Sequence, residues 1–362
     1  MPKNIVICCD GTSNQYSVAP TNVVRFYAAL IDDGARQITY YHPGLGTMGP
    51  LGALTKFDKW WTRTLGLALG RGLEDDIRDL YCFLMQTYEP DDRIFLFGFS
   101  RGAYTVRCLA SMLHLYGIIR RNNQPLVPYA IRMMVEIGTS KGDVQPQFAL
   151  AASFKKTFSR DCCIAFVGVW DTVSSVGWIA NPLSLPFTAY NPSIKVGRHA
   201  VSIDERRAFF RTNLWRPPSG SSSDIKQVWF PGSHGDVGGG YPEEESAQSK
   251  YALSWMLNEA RENGLLIDQS REDEVLGRTA GSPCIAPAVN RPLHDALRGW
   301  WRVAEFVPKK HFNWKKQTTE LRMNLFRRRT IPSTPAPLVH VSARLRGQDY
   351  LRRVPSPHII VS

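Results

Sequence analysis

The sequence predicts an α/β fold: a mainly parallel sheet with helices on both faces, plus lid insertions. Three observations lead there. Short apolar runs, among them Asn4–Cys9, Arg93–Phe99 and Ile164–Trp170, read as strands buried on both faces. Helical apolar spacing follows several of them, as in Ile77, Leu80, Tyr81 and Leu84, or Ala103, Val106, Leu109, Ala110 and Leu113. No internal repeat interrupts the alternation of strand and helix, and that alternation favours parallel strands joined by crossover helices.

Composition sets the frame. A chain of 362 residues can bury one large core, or one core with a lid or small appended domain. Hydrophobic residues at 43% and charged residues at 21% fit an ordinary globular protein. No apolar run reaches membrane-spanning length and the N-terminus lacks a signal-peptide pattern, so cytoplasmic synthesis without general secretory export is expected. The seven cysteines are odd in number, sit mostly in apolar stretches and form no C-x-x-C pair; they read as reduced core thiols. The net charge of +12 favours an anionic partner. Much of the excess lies late, in Lys309, Lys310, Lys315, Lys316, Arg322, Arg327, Arg328 and Arg329, with Phe312, Trp314 and Phe326 among them. That mixture suits peripheral contact with an anionic membrane, or a solvated basic helix or loop. Nothing matches a nucleic-acid-binding motif.

Taken in order, Asn4–Cys9 is a strand ending in Asp10-Gly11-Thr12, and Thr21 or Asn22 caps a helix through Leu30. Gln37 to Tyr41 is the next strand. The glycine pair of the loop after it, Gly44 and Gly46, lacks the third glycine of a dinucleotide fingerprint. A helix over Leu73 to Tyr88 precedes the strand Arg93–Phe99, and the helix after that strand ends at Gly117. Residues 120–160 read as an irregular surface insertion. Residues 176–198, with Trp178, Leu183, Leu185 and Phe187 among prolines, read as an apolar lid or a core-covering loop. A helix is expected from His199 through Asp204-Glu205-Arg206-Arg207, a strand over Ile225 to Phe230, a helix over Ser249 to Asn263, and a last extended segment at Pro337 to Ser342. The resulting division is a catalytic domain over residues 1–290 and a basic C-terminal extension over 291–362.

The chemistry gathers at strand ends. Gly98-Phe99-Ser100-Arg101-Gly102 fits G-x-S-x-G between a strand and a helix, the context of a nucleophile elbow. Asp10, Ser100 and Asp171 each follow a buried strand, and His234 follows a fourth inside a glycine-rich loop. Parallel strands end on one edge, so the four can converge. The order Ser100, Asp171, His234 is that of an α/β-hydrolase triad. His234 would serve as base, Asp171 would orient it, and Ser100 would attack an acyl carbon. The backbone N–H of Arg101, with that of Gly11 or Thr12, would form the oxyanion hole. Asp10 and Asp236 are supporting acids. His42 and His340 are alternative bases, and Arg101 and Arg107 could meet an anionic headgroup. Two other readings stay open: a metal-dependent phosphoesterase on Asp10, Asp171, His234 and Asp236, and an inactive hydrolase fold used as a binding module.

Five ordered motifs together resemble one family: Cys9-Asp10-Gly11-Thr12-Ser13-Asn14, the elbow through Tyr104, Trp170-Asp171-Thr172-Val173, His199-Ala200 with Asp204-Glu205-Arg206-Arg207, and Gly232 through Tyr241. The chain resembles the DUF2235 family, the α/β-hydrolase domain shared with phospholipase (lipase) effectors of type VI secretion, over residues 3 to 260. The resemblance implies a serine lipid esterase of phospholipase A type that needs no cofactor and uses Ser100, Asp171 and His234. It implies a phospholipid or other ester substrate and, in the effector members, delivery without a signal peptide; an immunity or adaptor protein is a further candidate partner.

Overall fold

The computed structural model describes residues 2–362 apart from 12–18, 45–68, 174–176, 179–180, 183–184, 209 and 314–317. Its centre is an eight-stranded sheet whose neighbours all pair parallel. The strands are β1 (Asn4–Cys9), β2 (Gln37–His42), β3 (Arg93–Phe99), β4 (Cys163–Trp170), β5 (Ile194–Ser202), β6 (Asp224–Phe230), β7 (Leu338–His340) and β8 (Ile359–Val361). They lie in the order β2-β1-β3-β4-β5-β6-β7-β8. The sheet direction reverses at β1, because the chain adds β2 on one side and then β3 on the other. A crevice at such a switch point, outside the carboxyl ends of the strands, is where open α/β sheets bind ligands.

Two cores follow from the pleat. Ile5, Ile7 and Cys9 of β1, with Ile94 and Leu96 of β3, face α2 (Leu69–Thr87), α3 (Ser100–Tyr116), α4 (Val127–Thr139) and α5 (Gln145–Phe158). Val6, Cys8, Phe95, Phe97 and Phe99 point the other way, onto α1 (Asn22–Ala28) and α7 (Ser249–Glu262). Both faces are covered, so the strands are apolar throughout rather than alternating. The seven cysteines are free thiols, with Cys8, Cys9 and Cys108 buried.

Several local expectations hold in detail. Thr21 caps α1 by accepting from the Val24 amide, and Gly117 ends α3 at a φ of +66°. Others need correction. Residues 120–160 are not irregular: they form α4 and α5, which place Ala130, Ile131, Met134 and Phe154 into the first core. The helix expected from His199 is strand, since β5 runs Ile194–Ser202. Two polar residues on that strand hid it. Arg198 is buried against Glu259 and Asp224, at 2.5 and 2.6 Å, and His199 bonds Gln227 and the Thr172 amide. The expected lid over 176–198 therefore ends inside the sheet. Part of it lies outside the described residues, and its Pro186 and Thr188 carbonyls accept from Ser111 and Arg107 of α3.

Residues 291–362 supply β7 and β8, so they share the sheet with the rest of the chain. Among the described residues, no helix is long and apolar enough to cross a membrane.

Candidate active site

Ser100 opens α3 directly after β3, with a φ of +59°. A residue carrying a Cβ adopts that backbone only when its surroundings impose it. The surroundings are the close approach of α3 to the sheet. A Cβ on Gly98 would lie 2.6 Å from the Gly102 backbone, and one on Gly102 would fall on the carbonyl oxygens of Cys9 and Asp10. Ser100 is half-buried, and the Arg101 amide lies beside it in the first turn of α3.

Asp171 follows β4 at a φ of +39° and is fully buried. Its Oδ1 accepts from the Ser202 amide at 2.9 Å and Arg329 Nη1 at 2.5 Å; its Oδ2 accepts from His234 Nδ1 at 2.6 Å and Arg329 Nη2 at 2.9 Å. Burial alone would raise the pKa of this carboxyl. The Arg329 guanidinium, then His234, outweigh burial and hold it well below the usual carboxylate range. Asp171 is therefore an anion whose two oxygens are both fixed.

His234 begins the short helix α6 (His234–Gly238) after β6. Its ring lies between Phe99, with centroids 4.5 Å apart, and Phe210, at 4.8 Å. Nδ1 faces Asp171, so Nδ1 carries the proton and Nε2 is the basic nitrogen. Burial in this apolar slot lowers the histidine pKa, with Asp171 pulling it back up. The His234 amide donates to Glu205 Oε2 at 3.1 Å; Glu205 is buried, pairs with Arg207 at 2.8 Å and has its pKa lowered to about 2, the arginine outweighing burial. Ser233 and Asp236 close a capping box on α6. Asp236 also takes the Nδ1 of His294 at 2.6 Å, and His294 reaches on to Glu245 at 3.0 Å.

The structure thus brings Asp171 and His234 into contact and seats α6 on the elbow, since a Cβ at Gly238 would enter the Phe99 ring. Among the described residues Ser100 and His234 share no direct hydrogen bond; Phe99 links them, and such bonds are often long before substrate arrives. Asp10 is buried with its carboxylate on Thr21 Oγ1 at 2.6 Å, the Tyr41 hydroxyl at 3.0 Å and the Gly11 amide at 2.7 Å. The Gly11 amide is thus turned to Asp10, and Thr12 lies outside the described residues. Asp76 of α2 stands near the elbow arginine. Burial pushes its carboxyl up to about 7 while Arg101 pulls it down, and burial brings Arg101 down to about 10.

The remaining sequence candidates have other duties. Asp10 and Asp236 are engaged as described, and no group of three metal-type donors gathers among the described residues. Arg107 is fully buried on the Thr188 and Asn213 carbonyls, with Trp215 beneath it, and does not face a headgroup. His340 caps a helix and stacks on Phe230; burial lowers its pKa to about 4. His42 lies 3.8 Å from Asp76. Two residues of the site escaped sequence reasoning. His294 stands in a stretch of no clear periodicity. Arg329 is the last of three consecutive arginines, and only its burial separates it from its exposed neighbours.

The sequence matches the family described as the T6SS phospholipase effector Tle1-like catalytic domain over residues 3–259. The chain belongs to this family. It is also 36% identical over 226 residues to the uncharacterized protein YEL023C of Saccharomyces cerevisiae, covering 59% of this chain and 33% of that one. The chain thus spans about a third of that relative's length. Among solved structures it is similar to an uncharacterized protein from Pseudomonas aeruginosa, with a TM-score of 0.41 at 20% identity over 75% of this chain and 47% of the other. It is similar too to the Tle1 effector bound to the VgrG spike of the type VI secretion system, with a TM-score of 0.40 at 15% identity over 76% and 77%. All five sequence motifs, Asp171, His234 and the elbow included, fall within the family-matched span; Arg329 and His294 fall outside it.

Proposed function

We propose that the protein is a serine esterase acting on lipid carboxylic esters, a phospholipase A-type hydrolase. The observation that carries the reading is the Asp171–His234 contact of 2.6 Å, formed by two buried residues next to a serine in an enforced elbow. Membership of a phospholipase effector family supports the lipid substrate. Ser100 Oγ attacks the ester carbonyl carbon as His234 Nε2 takes its proton, and Asp171 stabilises the imidazolium. The oxyanion is met by the Arg101 amide. His234 then protonates the departing alcohol oxygen, leaving an acyl-enzyme. Water, deprotonated by the same nitrogen, releases the fatty acid and restores Ser100. No step calls on a metal or organic cofactor.

The surface beside the site supports a membrane as the place where substrate is met. Phe210, which packs on His234, also packs on Trp301 at 5.4 Å. Past Trp301 the chain exposes Val303, Phe306, Val307, Leu321, Met323 and Leu325, together with Arg302, Arg327 and Arg328. Apolar side chains rimmed by arginine suit an anionic bilayer. The effector family likewise supports export without a signal peptide and an adaptor or immunity protein as partner.

The test is labelling with a fluorophosphonate, with and without EDTA, followed by mapping of the modified peptide. Labelling at Ser100 that survives EDTA and disappears in His234→Ala is expected, as is loss of ester hydrolysis in Ser100→Ala at a nearly unchanged Tm. Folded protein that stays unlabelled while showing chelator-sensitive phosphoesterase activity would sink the triad.

A further inference from the structure

We infer that Arg329 is a positioning residue of this site: its guanidinium fork fixes Asp171 in the orientation that aims His234, from a stretch of chain beyond the family-matched residues 3–259. The inference rests on the triad reading above.

The fork makes two parallel bonds to the two oxygens of Asp171, at 2.5 and 2.9 Å. Its other donors reach the Phe210 carbonyl, through Nε at 2.9 Å and also through Nη2, and Ser202 Oγ, at 2.8 Å. One planar group therefore ties the end of β4, the end of β5 and the residue whose ring walls His234. The side chain is nearly sealed from solvent, at 4% exposure. Water cannot substitute for it, and lysine would offer the charge without the plane. An aspartate held only by one backbone amide could swing about its χ angles. With both oxygens clamped, the one remaining direction on Oδ2 is the one His234 occupies.

The same placement has an electrostatic consequence. Asp171, Glu205 and Arg207 are the charged groups acting on His234, with Arg329 held on the Asp171 carboxylate; Phe99 and Phe210 flank it with uncharged rings, and His199 behind Thr172 stays neutral because burial brings its pKa down to about 3. Arg329 cancels part of the negative charge that Asp171 presents to the imidazole. Removing it leaves His234 facing an undiluted carboxylate, so the histidine takes up its proton at higher pH.

The test uses the full-length chain. The rate of fluorophosphonate labelling at Ser100 and the hydrolysis of a soluble short-chain ester are followed from about pH 5 to 9 in wild type, Arg329→Ala and Arg329→Lys. For Arg329→Ala, labelling about tenfold slower or worse is expected. Its acidic limb should move up by about half a unit to one unit, and millimolar guanidinium should restore part of the rate. Arg329→Lys should fall between. A wild-type rate and pH profile in Arg329→Ala would overturn the inference. So would a loss with an unmoved limb and no rescue, which marks a structural ion pair only. Should Arg329→Ala fail to fold, Arg329→Lys decides: a wild-type rate overturns the need for the fork, and a clear drop at unchanged Tm supports it. Failure of the triad itself looks different, because wild-type protein would then carry no label at Ser100, and this role would fall with it.

Discussion

At the scale of single residues, the site is a set of charges made tolerable by pairing. Asp171 is buried as an anion because Arg329, His234 and the Ser202 amide surround it; removing one partner of such a buried set typically costs roughly 3–5 kcal/mol. His234 is the opposite case, a base kept neutral by apolar walls. The folded pKa of His234 lies below its ordinary 6.5, with burial the largest cause. The unfolded chain therefore binds this proton first, and the contribution of His234 to stability is complete above pH 6.5 and lost as pH falls through the lowered value. In the proposed mechanism catalysis follows the same group, since only the neutral imidazole can accept the Ser100 proton. The profile of kcat/KM against pH should have an acidic limb with its midpoint below 6.5, and a midpoint above that value would contradict the burial argument. The placement of Ser100, Asp171 and His234 at one sheet edge was legible because each follows an apolar run that ends there. Arg329 was not, because nothing in a run of three arginines distinguishes the one that turns inward.

Among the elements, the junction of β3 and α3 sets the geometry, and its glycines are there for space. Gly102 sits where a side chain would meet the carbonyl oxygens of Cys9 and Asp10, atoms of β1 and of the turn after it. Backbone cannot step aside as a flexible side chain can, so Gly102→Ala must push α3 away from β1 or distort the elbow. A loss of about 1–3 kcal/mol in urea unfolding is expected, together with slower labelling of Ser100. Unchanged stability would mean that the close approach is not a constraint. The elements most legible in the sequence were the strands with an unbroken apolar run, β1, β3 and β4, and the helices with a clean apolar period, α2, α3 and α7. β5 was missed because Arg198 and His199 break its apolar run, although both are satisfied inside the core by partners far away in sequence. The helices α4 and α5 were missed because Pro128 and Pro146 open them and the mostly polar residues 139–146 separate them, although α4 carries Val127, Ala130, Ile131, Met134 and Ile137 at helical spacing.

For the whole molecule, residues 291–362 do more than the basic appendage that composition suggested. β7 lies in the extended segment expected at Pro337 to Ser342, whereas β8 is three residues near the end of the chain that no sequence pattern marked; together they continue the sheet past β6. The same region sends Arg329 to Asp171, His294 to Asp236, and Tyr350 with Arg353 to Asp204, which in turn holds the Gly232 amide ahead of His234. The arginines left outside, Arg302, Arg327 and Arg328, join an exposed apolar stretch that includes Phe306 and Leu321, at 53% and 67% exposure. Two forces then act on a membrane with different reach. The attraction of a +12 protein to anionic lipid is screened over about 10 Å at 0.1 M salt and about 3 Å at 1 M, whereas burial of apolar side chains is not weakened by salt. Full-length protein should therefore sediment with anionic vesicles more than with zwitterionic ones, and the difference should shrink as salt rises. Phe306→Asp with Leu321→Asp should remove the salt-resistant part while leaving labelling of Ser100 by a soluble probe unchanged, because neither residue touches the site. Equal binding to both vesicle types at low salt would overturn the charge argument. Unaltered binding by the double variant would place the contact elsewhere on the surface.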